Sequence, residues 1–129
     1  MDGRVRVVIA DDDDDIRLLM EIAVRKAGMD LAWAAGDGPS ALEAIRRVMP
    51  SLVVLDVSMP GLTGLDVCAA VRADPRCAGV KILVLSAGVD EASQQAALSA
   101  GADGFMAKPF SPKNLAIRLH SLADASAGP

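Results

Sequence analysis

The chain contains the stretch Leu52-Val53-Val54-Leu55-Asp56, in which four apolar residues are followed by a carboxylate. An unbroken apolar run of this kind is typical of a strand buried on both faces of a parallel sheet. The residues from 57 to 64 include a proline and two glycines, so a loop follows the strand. Open α/β sheets bind ligands at the carboxyl ends of their strands, which makes Asp56 a candidate nucleophile or metal ligand. A strand-end aspartate alone would more often form a turn or cap a helix.

Composition indicates a single domain that can bury a substantial core, because 52% of the 129 residues are hydrophobic. The net charge of −4 argues against direct binding of nucleic acid. No apolar run approaches the roughly 18 residues of a membrane-spanning helix, and the N-terminus lacks the apolar region of a signal peptide. Its two cysteines form no C-x-x-C pair. We therefore expect a cytoplasmic protein with reduced thiols and no membrane insertion.

Apolar strand-like segments alternate with amphipathic helical segments along the whole chain. This alternation predicts a parallel sheet with helices on both faces. The fourth predicted helix is rich in alanine, with Leu98 as its only large apolar residue, and is expected to be the most weakly anchored. The predicted strands cover 5–10, 30–35, 52–56, 80–85 and 104–107, and the predicted helices cover about 15–27, 39–49, 64–73, 91–100 and 112–122.

An acidic run, Asp11 to Asp15, begins where the first predicted strand ends. Such a run is often only a solvated acidic surface. Here a helix starts directly after it, so Asp14 or Asp15 is expected to cap that helix. The remaining acids, Asp11 to Asp13, would then lie near the strand end, where a hard divalent cation could hold them together.

Reactive side chains follow four of the predicted strands. In a parallel sheet these strand ends lie along one edge, so carboxylates, a hydroxyl and an ammonium should converge there. A carboxylate can attack phosphorus, while a hydroxyl, an ammonium and Mg²⁺ stabilise the charge of the transferring group. The combination therefore favours phosphoryl transfer to an aspartate. The groups are carried by Asp11 to Asp13, Asp56, Ser86 and Lys108.

From about Arg4 to Leu122 the chain resembles a receiver domain of bacterial two-component response regulators, the CheY-like class. The matching features are the acidic pair after the first strand, D-x-x-M-P-x-x-x-G from Asp56, the hydroxyl after the fourth strand, and K-P-F from Lys108. The resemblance implies a flavodoxin-like (βα)₅ doubly wound sheet with strand order 2-1-3-4-5. Residues 123–129 would be a C-terminal tail or the start of a linker.

The resemblance also assigns an acceptor and a metal site. Asp56 would be the phosphoacceptor. Mg²⁺ would be bound directly by Asp12, by Asp56 and by the backbone carbonyl of Ser58, and through water by Asp11.

Further residues are assigned by the same resemblance to contact with the phosphoryl group and to switching. Lys108 and Ser86 would contact the phosphoryl group. Ser86 and Phe105 would form the switch pair, in which the rotamer of the aromatic ring follows the hydroxyl. A cis peptide bond is implied between Lys108 and Pro109.

The function implied is a phosphorylation-activated signalling switch rather than an enzyme. A sensor histidine kinase or a phosphotransfer protein would supply the phosphoryl group, and the face formed by the fourth helix, fifth strand and fifth helix would change. That face would act on a downstream effector protein or a fused output domain, or would form a phosphorylation-dependent homodimer. No helix-turn-helix is expected in this sequence, so the domain would be either a stand-alone receiver or part of a longer regulator.

Two other functions fit parts of the pattern. The chain could be a receiver-like docking or dimerisation module that phosphorylation does not regulate. It could also be a haloacid dehalogenase-like phosphatase with Asp11 as nucleophile, but that class needs an acidic pair after its lysine, where Pro109 and Phe110 stand.

Two residues near the acceptor, Ser58 and Gly88, are small, so water should reach the phosphoryl group easily. We therefore expect the phosphoryl group to be lost over minutes or faster rather than hours.

Overall fold

The computed structural model describes residues 4–88 and 90–127. Within them, five strands alternate with five helices, as predicted. The strands are β1 Arg6–Ala10, β2 Asp30–Ala35, β3 Leu52–Asp56, β4 Lys81–Ser86 and β5 Gly104–Ala107. The helices are α1 Asp14–Lys26, α2 Gly38–Val48, α3 Gly64–Ala73, α4 Glu91–Ser99 and α5 Pro112–Ala127, and a short 3₁₀ helix, Pro75–Cys77, follows α3.

All strand pairs of the sheet are parallel, and the strand order is β2-β1-β3-β4-β5. This confirms the predicted doubly wound, flavodoxin-like architecture. Strand β3 lies at the centre, and all five of its residues are buried. Burying one large aliphatic side chain contributes about 1.5–3 kcal/mol, so this central strand holds the two layers of helices together.

The side chains of each strand alternate between two apolar layers. In β3, Val53 and Leu55 face the layer of α2, α3 and α4, while Leu52 and Val54 face the layer of α1 and α5. Helix α4 is weakly anchored, as expected, because Ala97 is its one buried residue and Leu98 is 53% exposed.

The start of α1 differs from the prediction. Asp13, rather than Asp14 or Asp15, is the N-cap, and its Oδ1 accepts hydrogen bonds from the backbone N–H groups of Asp15 (2.9 Å) and Ile16 (3.1 Å). The turn out of β1 is tight, because the Asp13 N–H itself donates to Asp11 Oδ1 at 2.9 Å. The helix therefore begins one residue earlier than expected, at Asp14.

The end of α5 also differs from the prediction. The helix was expected to end at Leu122 but continues to Ala127. Alanine has the highest intrinsic helix propensity, and three of the five added residues are alanines. The proposed boundary between a domain of residues 4–122 and a tail remains a prediction, and residues 128 and 129 lie outside the described part.

The two cysteines are both fully buried. Cys68 packs in the core under α3, as predicted. Cys77 was expected to be a loop thiol, but it lies in the 3₁₀ helix with its Sγ 3.9 Å from Sδ of Met49. None of the helices in the described part of the chain has a stretch long and apolar enough to cross a membrane.

Candidate functional site

A cavity of about 340 Å³ opens at the carboxyl edge of the sheet, between the ends of β1, β3, β4 and β5. The parallel arrangement brings these strand ends together, as the sequence predicts. Every residue predicted to accept the phosphoryl group, to contact it or to bind the metal lines this cavity: Asp11, Asp12, Asp56, Ser58, Ser86 and Lys108.

Asp56 is the last residue of β3 and is only 4% exposed. The loop after it folds back onto the strand, because the Gly64 N–H donates to the Val57 carbonyl at 2.9 Å. A Cβ atom on Gly64 would lie 2.2 Å from the carbonyl oxygen of Asp56, so only glycine allows this approach. The last glycine of D-x-x-M-P-x-x-x-G thus fixes the loop that flanks the aspartate.

Three carboxylates come together beside the cavity. One oxygen each from Asp11, Asp12 and Asp56 lies within 4.8 Å of the others. Asp11 is fully buried and Asp12 is exposed, so the cluster is open to solvent on one side. Asp13 has a different role, because its carboxylate caps α1. Clustered carboxylate oxygens at this spacing fit the ligand preference of a hard divalent cation.

Lys108 bridges two of these carboxylates. Its Nζ lies 2.8 Å from Oδ1 of Asp56 and 3.0 Å from Oδ2 of Asp11. The backbone holds the lysine in register, since the Lys108 N–H donates to the Ser86 carbonyl at 2.8 Å. The peptide bond between Lys108 and Pro109 is cis, as the resemblance implied.

The pKa values of this cluster follow from burial and from the ammonium. Burial raises the pKa of Asp56, and the hydrogen bond from Lys108 opposes that rise while the charge on Asp11 adds to it. Burial lowers the pKa of Lys108, but its hydrogen bonds to Asp56 and Asp11 outweigh this, so the pKa is raised. Lys108 is therefore held in its charged form, and the charged carboxylate of Asp56 would gain from a further cation nearby.

The two predicted switch residues lie at different depths. Ser86 is 8% exposed and lines the cavity, and its Oγ accepts the N–H of Gly88 at 3.0 Å. Phe105 is partly buried against the layer of α2, α3 and α4, opposite Val84 in the β4–β5 register. It is not among the residues that line the cavity.

One residue that supports the site from outside the cavity was not predicted. Arg17 donates from NH1 to the backbone carbonyl of Asp11 at 2.8 Å and pairs with Asp14. It thereby fixes the backbone of the buried acid. An arginine in the first turn of a helix opposes the helix dipole, and this is the signal in the sequence that it has a specific partner.

Comparison with known proteins agrees with this geometry. Residues 7–120 match the family model described as the response regulator receiver domain. The DNA-binding response regulators MtrA of Mycolicibacterium smegmatis and of Mycobacterium tuberculosis strain H37Rv are each 41% identical over 118 residues. These matches cover 92% of this chain and 50% of each relative, so the chain spans about half the length of these curated relatives.

Solved structures give the same result. The signal receiver domain of NarL from Mycobacterium tuberculosis matches with a TM-score of 0.86 and 32% identity, covering 98% of each chain. The chemotaxis protein CheY4 of Vibrio cholerae matches with a TM-score of 0.85 and 28% identity, covering 93% of this chain and 99% of that one. With its five-stranded parallel sheet and its acidic cavity, the chain belongs to the response regulator receiver domains, the phosphorylatable signalling modules of two-component systems.

Proposed function

We propose that Asp56 accepts the phosphoryl group in this receiver domain and that the domain is a switch controlled by this modification. The observation that carries the proposal is the contact of Asp56 with Lys108 in a cavity shared with two further acids. A buried carboxylate with an ammonium at 2.8 Å and an open side toward solvent suits attack on an incoming phosphoryl donor.

The carboxylate cluster fits Mg²⁺ as the cation of this site. Asp12, Asp56 and the backbone carbonyl of Ser58 would hold it, with Asp11 acting through water. When bound, Mg²⁺ supplies positive charge that lowers the repulsion between an anionic donor and the acids.

The transfer itself uses groups of this chain. A carboxylate oxygen of Asp56 forms a bond to phosphorus as the bond from phosphorus to the donor's nitrogen breaks, which leaves an aspartyl phosphate and a free donor imidazole. Lys108 Nζ and Ser86 Oγ would donate hydrogen bonds to the phosphoryl oxygens, where negative charge is concentrated. Both already line the cavity.

Movement of Ser86 would carry the signal away from the site. Its Oγ accepts the Gly88 N–H, so a hydroxyl drawn to the phosphoryl group would pull on the loop that leads into α4. Phe105 would turn toward the space that Ser86 leaves, and the surface of α4, β5 and α5 would change. That surface includes two exposed aliphatic side chains, Leu98 and Ile117.

The partners follow from the role of a receiver. A sensor histidine kinase or a phosphotransfer protein would donate the phosphoryl group in the cytoplasm. The MtrA relatives are named DNA-binding and are about twice as long, which supports a fused output domain or a downstream effector protein as the target. A phosphorylation-dependent homodimer through the α4–β5–α5 surface is a further part of the proposal. This domain itself would neither bind nucleic acid nor act as an enzyme on a separate substrate.

Intact-mass measurement after incubation with acetyl phosphate and Mg²⁺ tests the proposal. The wild-type protein should gain one phosphoryl group, about 80 Da. Asp56→Asn should gain none, while Asp124→Asn, which changes an exposed acid on α5, should behave as wild type. If neither the wild type nor either variant gains mass, and Asp56→Asn still binds the partners that the wild type binds, the domain is a docking module that phosphorylation does not regulate.

A further inference from the structure

Arg72, near the end of α3, makes hydrogen bonds to three residues in two other segments of the chain. Its Nε donates to the carbonyl of Gly101 at 2.8 Å, and its NH1 donates to the carbonyl of Val80 at 2.8 Å. Its NH2 donates to Oδ2 of Asp103 at 2.6 Å. One guanidinium thus ties α3 to the start of β4 and to the turn between α4 and β5.

The turn that Arg72 contacts is the C-terminal end of α4. The Gly101 N–H donates to the Leu98 carbonyl at 3.0 Å, and the Ala102 N–H donates to the Ala97 carbonyl at 3.0 Å. The carbonyl of Gly101 then accepts from Arg72. The helix end is therefore closed by its own backbone and attached to α3 through one side chain.

The fit between Arg72 and Gly101 is close. Gly101 has φ +103°, and a Cβ atom there would lie 2.5 Å from Cγ of Arg72. Asp103 strengthens the same contact, because the oxygen that accepts from Arg72 also accepts the Ile82 N–H at 2.8 Å. Any other residue at position 101 would be strained and would displace the arginine.

The other end of α4 is held differently. Asp90 caps the helix by accepting the Ser93 N–H at 2.7 Å. Gly88 comes close to this first turn, since a Cβ atom on it would lie 3.0 Å from Oγ of Ser93. Gly88 also donates its N–H to Oγ of Ser86. This end of α4 is thus connected to the hydroxyl that lines the cavity, while the Arg72 contacts lie at the opposite edge of the sheet.

We propose that Arg72 is a positioning residue that fixes the C-terminal end of α4 as a pivot. Because α4 buries only Ala97, the rest of the helix is free to move when Ser86 moves, and the bonds of Arg72 confine that movement to the N-terminal end. The confinement of a movement that starts at Ser86 rests on the proposed function, whereas the anchoring of the C-terminal end of α4 by Arg72 does not.

Amide hydrogen exchange of the unmodified protein tests the pivot. Arg72→Lys keeps the charge, but an ammonium on a flexible chain cannot replace the planar fork that reaches three acceptors. We expect exchange of the Ile82, Ala102 and Asp103 amides to accelerate by about tenfold or more, with β1 unchanged. The matched control, Arg76→Lys, alters an exposed arginine paired with Asp74 and should leave all of these amides unchanged.

Two results would overturn the pivot. Unchanged exchange at Ala102 and Asp103 in Arg72→Lys would show that the bonds do not hold the turn. Acceleration spread equally over β1 and α4, or loss of the fold, would make Arg72 a general stabilising residue. Gly101→Ala provides a second test, because it displaces Arg72 from the other side and should produce the same local acceleration.

Amide hydrogen exchange of the phosphorylated protein tests whether the movement is confined to the N-terminal end of α4. In the wild type, modification should alter residues 90–96 and leave 101–103 unchanged, whereas in Arg72→Lys the change should extend through 101–103. Equal changes in both segments of the wild type would contradict the proposal. The mass gain should be the same in both proteins, so a missing mass gain would count against the proposed function alone.

Discussion

The ammonium of Lys108 lies 2.8 Å from Oδ1 of Asp56, in a cavity that also contains Asp11 and Asp12. This contact joins the end of β5 to the end of β3, across β4. It places a fixed positive charge beside the proposed acceptor, where an incoming phosphoryl group would meet it.

Removal of this charge should slow phosphorylation. Lys108→Met keeps much of the length of the side chain but loses the ammonium, and the loss of one fixed electrostatic contact typically costs on the order of 100-fold in rate. The rate of mass gain with acetyl phosphate and Mg²⁺ measures the effect. Lys113→Met, which alters an exposed lysine on α5, is the matched control. Equal rates for Lys108→Met and wild type would remove Lys108 from the site.

Mg²⁺ should stabilise the folded domain, because it would bind the native cluster of carboxylates and not the unfolded chain. At a hundred times its dissociation constant, the gain in free energy of unfolding is about 2.7 kcal/mol. Denaturant unfolding with and without Mg²⁺ measures it. Asp12→Asn should lose most of the gain at little cost to folding, because Asp12 is exposed, whereas Asp15→Asn should retain it. A gain that survives in Asp12→Asn would show that the ion binds elsewhere.

The lifetime of the phosphoryl group should depend on position 58. Ser58 is exposed and lines the cavity beside the acceptor, so water can approach from its side. Ser58→Met would cover that approach, and we expect the half-life of the modified protein to lengthen several-fold from the predicted minutes. The decay of the added mass after removal of the donor measures it. A wild-type half-life of many hours would contradict this prediction.

Both thiols should be unreactive in the folded protein. Cys68 and Cys77 are fully buried, and burial raises the pKa of Cys68 to about 11. Because the thiolate is the reactive form, a thiol reagent at neutral pH should modify neither residue until the protein is unfolded. Counting the modified thiols by mass in native buffer and in denaturant checks this. Rapid native modification of Cys77 would favour the loop position that the sequence alone suggested.

The fold could be predicted from the sequence because its signals are repeated and local. Each strand is a short apolar run that ends in a turn, as in 52–56, and every helix except the alanine-rich α4 has a regular apolar face. The convergence of Asp11, Asp56 and Lys108 follows from the parallel sheet once its strands are known. Their contact distances do not, because they depend on how the loops return to the sheet.

Three features that the sequence did not predict have separate physical causes. Asp13 caps α1 because the turn after Asp11 is tight, and five consecutive acids give no sign of which one that is. The alanine-rich segment after Leu122 predicts a tail or a linker, whereas α5 continues through it to Ala127. Arg72 could not be distinguished from a surface arginine, since its three acceptors lie between 8 and 31 positions away in the chain.

The most direct test of the central claim is to locate the phosphoryl group in the chain. Protein treated with acetyl phosphate and Mg²⁺ is reduced with borohydride, which converts an acyl phosphate to an alcohol, and the peptides are then sequenced by mass spectrometry. We predict that the converted residue is Asp56 and that Asp11 and Asp12 remain unchanged. Conversion at either of those acids, with Asp56 intact, would contradict the account.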